Sequence, residues 1–436
     1  MTGKNLMTVC VAILMKTGVF AQTDTLQLTV KEAERYAIAH NYLIKNASLD
    51  VKKAEATKWY AISTMLPQVN GTLDYTDYLG YEMVMKFPSP VPGAAPIETR
   101  IPMKSASNFT VQASIAVSGV QIVSATLGKL AVEMSKTNHQ KTEQTIKAQV
   151  RTLYFSVLAM EKTVGLIEES VENLKKLETQ VQQAVNVGVR EQIDADQLSV
   201  QVSSLQNTVN STQRSIEMLY NSMRLLLGIS VDAKITLTET IDNILNVENT
   251  SKLLNESFSL TNNLDYQLIE KNVELTKKQL LISEWAYAPT LSAFYQYKEK
   301  MQTSGLDMNP PQVVGFSLNI PIFSSGSKFA KVSEAKCTYK SALNTMDMMR
   351  EQLKIQDRQL RFNLRSNMEN YETQRKNIEV SQRVFTNISN KYEQGYASSM
   401  DVTNSSMNLI NAQSNYIRAM LEMITAQIEL ETLLNK

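Results

Sequence analysis

Asn108-Phe109-Thr110-Val111-Gln112-Ala113-Ser114-Ile115-Ala116-Val117 alternates apolar with polar or small residues over ten positions. A period of two places alternate side chains on opposite faces, which is the signature of a strand with one apolar face. Beyond a short junction the period changes. Ile146, Val150, Leu153, Val157, Met160, Val164, Ile167, Val171 and Leu174 recur by fours and threes, a heptad-like seam that packs helices against each other with left-handed supercoiling. From about residue 125 to 187 no Pro interrupts, and a helix of roughly 60 residues would run about 90 Å at 1.5 Å per residue. A strand pair feeding helices of that length decides the fold class as mainly α with a β part.

The same succession occurs twice. Asn41-Tyr42-Leu43-Ile44 leads to Leu66-Pro67-Gln68-Val69, and Asn263-Leu264-Asp265-Tyr266 leads to Ala288-Pro289-Thr290-Leu291, with 26 residues from Asn to Pro in both. Residues 28–66 read as one helix that Pro67 stops. Val69, Gly71, Leu73 and Tyr75 then alternate with Asn70, Thr72 and Asp74, and in the second half Leu291, Ala293, Tyr295 and Tyr297 are followed by Val314, Phe316, Leu318 and Ile320. Each half is therefore expected to hold one hairpin. Gly188 has Asp194 six residues on, and Gly395 has Asp401 six residues on; the two glycines are expected to turn the chain back at the helix tips. Leu364, Tyr371, Ile378, Phe385 and Tyr392 continue the heptad row of the second half. The expected organisation is an export signal at 1–21, a first repeat at 22–235 (hairpin about 69–118, long helices about 125–228) and a second at 236–436 (hairpin about 290–322, long helices about 328–435). The first half is longer because of residues 82–106, a segment with Pro88, Pro90, Pro92, Pro96 and Pro102, read as a loop.

The start of the chain supports export. Lys4 precedes the apolar run Leu6 to Leu14, and Val19-Phe20-Ala21 offers short residues where a signal peptidase reads. Cleavage there leaves Cys337 alone, so no intrachain disulfide is expected. No later stretch has the 18 uninterrupted apolar residues of a spanning helix, so any entry into a membrane is by strands. Four strands cannot close a barrel. Eight from a dimer or twelve from a trimer would close one, with the apolar face on lipid and Asn, Thr, Gln and Ser on water; a soluble sandwich with its apolar face inward is the competing arrangement.

Composition excludes other classes. With 44 Lys plus Arg against 43 Asp plus Glu, there is no basic field for nucleic acid. His40 and His139 have no Cys or His at metal-ligand spacing, and the chain has no Gly-rich phosphate loop and no apparent base beside a nucleophile. No enzyme, metal or cofactor is expected. The 21 Met residues read as helix packing.

The exported start, the twice-used Asn-to-Pro helix, the Ile320-Pro321-Ile322-Phe323 exit and the Gly-to-Asp tips together resemble the TolC-type outer-membrane channel family. That resemblance implies a homotrimer whose twelve strands form one barrel in outer-membrane lipid and whose twelve helices form a coiled-coil tunnel across the periplasm. It implies the exit duct of a tripartite efflux pump or type I secretion system, with a periplasmic adaptor and an inner-membrane transporter as partners and Gly188 and Gly395 at the docking tips. It also implies a gate, in which Asp194 pairs with Tyr392 and Asp401 forms an acidic ring. The sequence departs from the family at Asn404, where a second acid ring is expected, and at Ala397, often Arg; Arg190 is the candidate replacement cation. The alternative is an exported soluble coiled-coil scaffold or periplasmic adaptor without a pore.

Overall fold

The computed structural model describes residues 26–91, 93, 95–241, 247–302 and 310–436. The expected export signal at 1–21 lies outside the described residues, as does most of the short loop between the last two strands. The chain forms two compact units, one of residues up to 42, 145–256 and 360–432, the other of 43–144, 257–359 and 433–436. Among the described residues no helix is long and apolar enough to cross a membrane.

The second unit holds a four-stranded antiparallel sheet of β2 (Gln68–Thr76), β5 (Ala106–Val117), β7 (Thr290–Gln302) and β8 (Gln312–Asn319), in the order β2-β5-β7-β8. The two hairpins are thus joined through β5 and β7. Register aligns the apolar residues across all four strands. Leu73 lies opposite Phe109, Val111 opposite Tyr297, Ala113 opposite Tyr295, and Tyr295 opposite Val314. One face of the sheet is consequently continuous hydrocarbon and aromatic ring, and it is bare: Leu73 is 68% exposed, Val314 69% and Phe316 78%. Asn70, Thr72, Gln112, Gln296 and Ser317 occupy the other face by alternation. Its one aromatic, Phe294, lies over Gly315, where a Cβ would stand 2.5 Å from the ring.

The Pro-rich segment is not a loop throughout. β3 (Glu82–Phe87) and β4 (Ile97–Pro102) form a separate two-stranded ribbon, with Lys86 and Glu98 paired at 2.7 Å. Pro88, Pro90 and Pro96 fall between its strands, and Pro102 is the last residue of β4, where a missing N–H is tolerated.

The helix expected over 28–66 is also divided. β1 (Leu26–Leu28) pairs in parallel with β6 (Ile235–Leu237), and α1 (Val30–His40) is followed by α2 (Tyr42–Ser63). Thr29 and Glu32 form a capping box at the start of α1. Asn41, 3% exposed, breaks the helix and donates from Nδ2 to the Leu226 carbonyl at 2.7 Å. Its counterpart Asn263 caps α6 (Leu264–Trp285), accepting from the Tyr266 N–H, and donates from Nδ2 to the Leu433 carbonyl at 3.1 Å. Leu226 and Leu433 are near the ends of α4 (Gln192–Leu227) and α8 (Ser399–Leu433). Both Asn residues therefore tie a helix start to the end of a returning helix.

The remaining long elements are α3 (Gly119–Asn186, 68 residues) and α7 (Ser327–Glu393, 67 residues), with the short α5 (Val247–Leu254) between α4 and α6. In the first unit the seam of α3 meets that of α4: Val164, Ile167, Val171, Leu174 and Val181 pack with Leu198, Val202, Leu205 and Val209. Burying each such side chain contributes roughly 1.5–3 kcal/mol. Tyr154 is buried and donates to the Leu28 carbonyl at 2.9 Å; burial pushes its hydroxyl up to about 12. Arg151 pairs with Glu34 of α1 and with Glu431 of α8.

Candidate gate at the helix tips

The helix reversals at 188 and 395 use one geometry. Gly188 has φ +77° and Gly395 φ +80°, the left-handed region that costs other residues about 1–2 kcal/mol. The Gly188 N–H donates to the Val185 carbonyl and the Val189 N–H to that of Ala184; likewise Gly395 donates to Tyr392 and Tyr396 to Lys391. Each pair is a Schellman closure that satisfies the last carbonyls of its helix. Each turn leaves apolar side chains in water: Val189 is 74% exposed and Tyr396 82%.

Both tips belong to the first unit, and polar contacts join them. The Arg190 guanidinium lies 5.0 Å from the centre of the Tyr392 ring, a cation–π arrangement. Burial raises the Tyr392 hydroxyl above the ordinary phenol value, an effect that Arg190 opposes and the Asp194 carboxylate reinforces. Asp194 accepts a hydrogen bond at 2.8 Å from the hydroxyl of Ser399, itself 1% exposed. Arg190, Asp194 and Tyr392 are therefore brought together, with Arg190 on the tyrosine face and Asp194 bound to the opposite tip through Ser399.

Asp401 is placed otherwise. It is exposed, and its carboxylate accepts from the N–H and the hydroxyl of Ser398 at 2.9 and 2.7 Å, while the Ser398 hydroxyl accepts from the Asp401 N–H. These bonds hold its carboxyl below the usual range, the backbone donor having the larger effect. Asn404 follows on the same exposed side. Ser398 and Ser399 escaped the sequence reading, although Ser-x-x-Asp is a legible capping signal. The heptad row also loosens toward this end: Leu364 and Tyr371 are buried, whereas Ile378, Phe385 and Tyr392 are half-buried.

Comparison with known proteins agrees with this architecture. Residues 257–436 match the family described as outer membrane efflux protein. No curated protein sequence matches the chain. Among solved structures, the outer membrane protein VceC of Vibrio cholerae superposes with a TM-score of 0.72 at 15% identity, over 93% of this chain and 95% of that one. The Campylobacter jejuni CmeC outer membrane channel gives 0.75 at 13% identity over 93% and 85%. The open state of the Neisseria gonorrhoeae MtrE outer membrane channel gives 0.73 at 15% identity over 93% and 88%. Residues 257–436 are thus similar in sequence to the outer membrane efflux protein family, and the chain as a whole has the fold of these solved outer membrane channels.

Proposed function

We propose that three copies of the chain form the exit duct of a tripartite efflux pump or type I secretion system. In this assembly the β2 edge of one copy pairs with the β8 edge of the next, closing twelve strands into a barrel. The helices continue the barrel as a tunnel, and the tips at Gly188 and Gly395 receive a periplasmic adaptor coupled to an inner-membrane transporter. The two halves of the chain, 22–235 and 236–436, are two copies of one structural unit in this reading. No catalysis is involved; the chain supplies a passage, and the energy comes from the transporter.

One observation carries the proposal: a sheet with a bare apolar face across four strands and with β2 and β8 at its edges. In water that surface and those edges would drive aggregation. Hydrocarbon around the apolar face and a neighbouring strand at each edge satisfy both. The tips fit docking because Val187, Val189, Ile193 and Tyr396 are exposed beside the turns. The test is extraction followed by mass measurement. A barrel should resist carbonate, leave the membrane only in detergent and run as a trimer, whereas a scaffold or adaptor would leave with carbonate as a soluble protein.

A further inference from the structure

Helix α8 differs from the other long helices in what it leaves uncovered. After Met400 its exposed residues are Asp401, Asn404, Asn408, Asn411 and Asn415, then the charged Arg418, Glu422 and Glu429. Spacings of three and four as far as Glu422, and of seven from there to Glu429, put them on one row along the helix. Every other position on α8 from Val402 to Leu433 is buried or half-buried. Its flanks are taken by the chain's own helices: Gln201 of α4 donates to the Met407 sulfur at 2.6 Å, and Tyr371 of α7 stacks on Tyr416 with ring centres 5.4 Å apart.

The back of α8 is also held. Gln427 accepts from Thr250 of α5 at 2.9 Å, and Glu431 binds Arg151, which also holds Glu34 of α1. Glu431 is nine residues beyond Glu422, two and a half helical turns, so this face is opposite the exposed row. The segments α1 and α5 connect larger elements and would fill any passage they ran through. In the duct reading they therefore lie outside the passage, and the row faces the other way.

We propose that this row of α8 is the wall of the conducting passage near the tips, and that its four asparagines make that stretch indifferent to solute charge. The inference rests on the duct reading above and deepens it. From Val402 to Ile417 the helix has no charged residue, as α4 has none from Gln197 to Gln213, while α3 carries charges repeatedly from Glu168 to Glu178. Three copies would set neutral amide rings at successive levels above a single carboxylate ring at Asp401. Amides donate and accept hydrogen bonds without a net field, so a passing solute can exchange water for amide whatever its sign. This favours polar solutes of either charge over cations alone.

The experiment uses the full-length trimer in planar bilayers, with Cys337→Ser as the background. Asn404→Asp places a second carboxylate one turn from Asp401 and should raise the permeability of potassium over chloride by about twofold or more. Asn411→Cys should lose conductance on treatment with a methanethiosulfonate reagent, and Ala412→Cys, a buried position, should not. If the untreated protein conducts but Asn411→Cys is labelled, by mass, without a fall in conductance, the row lies on the outer surface and the inference fails while the duct stands. An unchanged permeability ratio in a conducting Asn404→Asp channel overturns it equally. A protein that forms no channel in any variant overturns the duct and the inference together.

Discussion

On the reading that the two tips gate the proposed duct, removing the bonds that clasp them should shift it toward its open state by a calculable amount. The Ser399 hydroxyl donates to Asp194 at 2.8 Å, and Arg190 stands 5.0 Å from the Tyr392 ring centre. A hydrogen bond to a carboxylate is worth about 1.5–3 kcal/mol, and Asp194 is only half-buried, so the low end, about 1.5, applies. A cation–π contact at an accessible site adds about 0.5–1 kcal/mol. Ser399→Ala with Arg190→Ala therefore removes roughly 2 kcal/mol per chain, a factor of about 30 in the closed-to-open ratio of each chain's tips and at least that for the three-chain duct. The double variant should show that increase in open probability in planar bilayers, and cells carrying it should become sensitive to large antibiotics that the outer membrane normally excludes. Ser399→Ala alone should account for the greater part. A double variant with wild-type open probability would refute the reasoning, because the clasp would then be present in both states.

Other outcomes follow from the same geometry. Gly228 has φ +67° and a Cβ there would meet the His40 carbonyl oxygen at 2.4 Å, whereas Gly395 has open space around it; Gly228→Ala should lower the thermal midpoint of the protein by more than Gly395→Ala, whose cost is the backbone strain of about 1–2 kcal/mol. Phe316→Arg puts a cation on the apolar face at a cost of about 2–4 kcal/mol at mid-membrane depth, so it should reduce heat-resistant trimer on gels, while Ser317→Arg on the opposite face should be tolerated. Ser398 lowers the Asp401 carboxyl, so the stabilisation it gives is present above the unfolded value of about 3.9 and is lost as pH falls through the folded value. Amide exchange in the first turn of α8 should accelerate over that acid range, and Ser398→Ala, which removes the hydroxyl but leaves the backbone donor, should weaken the pH dependence without abolishing it.

What the sequence disclosed and what it withheld divide along the range of the interactions. The alternation at 108–117 and the seam from Ile146 onward are written in neighbouring residues, and β5, α3, α4, α7 and α8 follow from them. The join of β5 to β7 is different: Val111 meets Tyr297 across 186 residues of chain, and no local period records it. The ribbon β3–β4 was hidden because prolines cluster between its strands and their turn signal dominated the reading. The break at Asn41 was missed because Ala, Lys and Glu on either side favour helix, while its cause, the Leu226 carbonyl, belongs to another helix. At the tips, the sequence presented Arg190, Asp194, Tyr392 and Asp401 as candidates, and the contacts redistribute them: Asp194 reaches Ser399, and Asp401 is held by its own neighbour. The uncovered row of α8 needed the packing of α4 and α7 on its flanks before the asparagines stood apart.

The asparagine amides at 41 and 263 have a further consequence. Each fastens the beginning of a helix to the end of the helix that returns from its own half's tip, through the same atom and the same kind of acceptor. A polypeptide half as long would possess one complete fastening of this sort, with nothing borrowed from the other half. In the proposed twelve-stranded assembly such half-length chains would number six, and joining them in pairs leaves the two halves free to differ, as they do here: one carries Arg190, the other Ser399 and the asparagines beyond it.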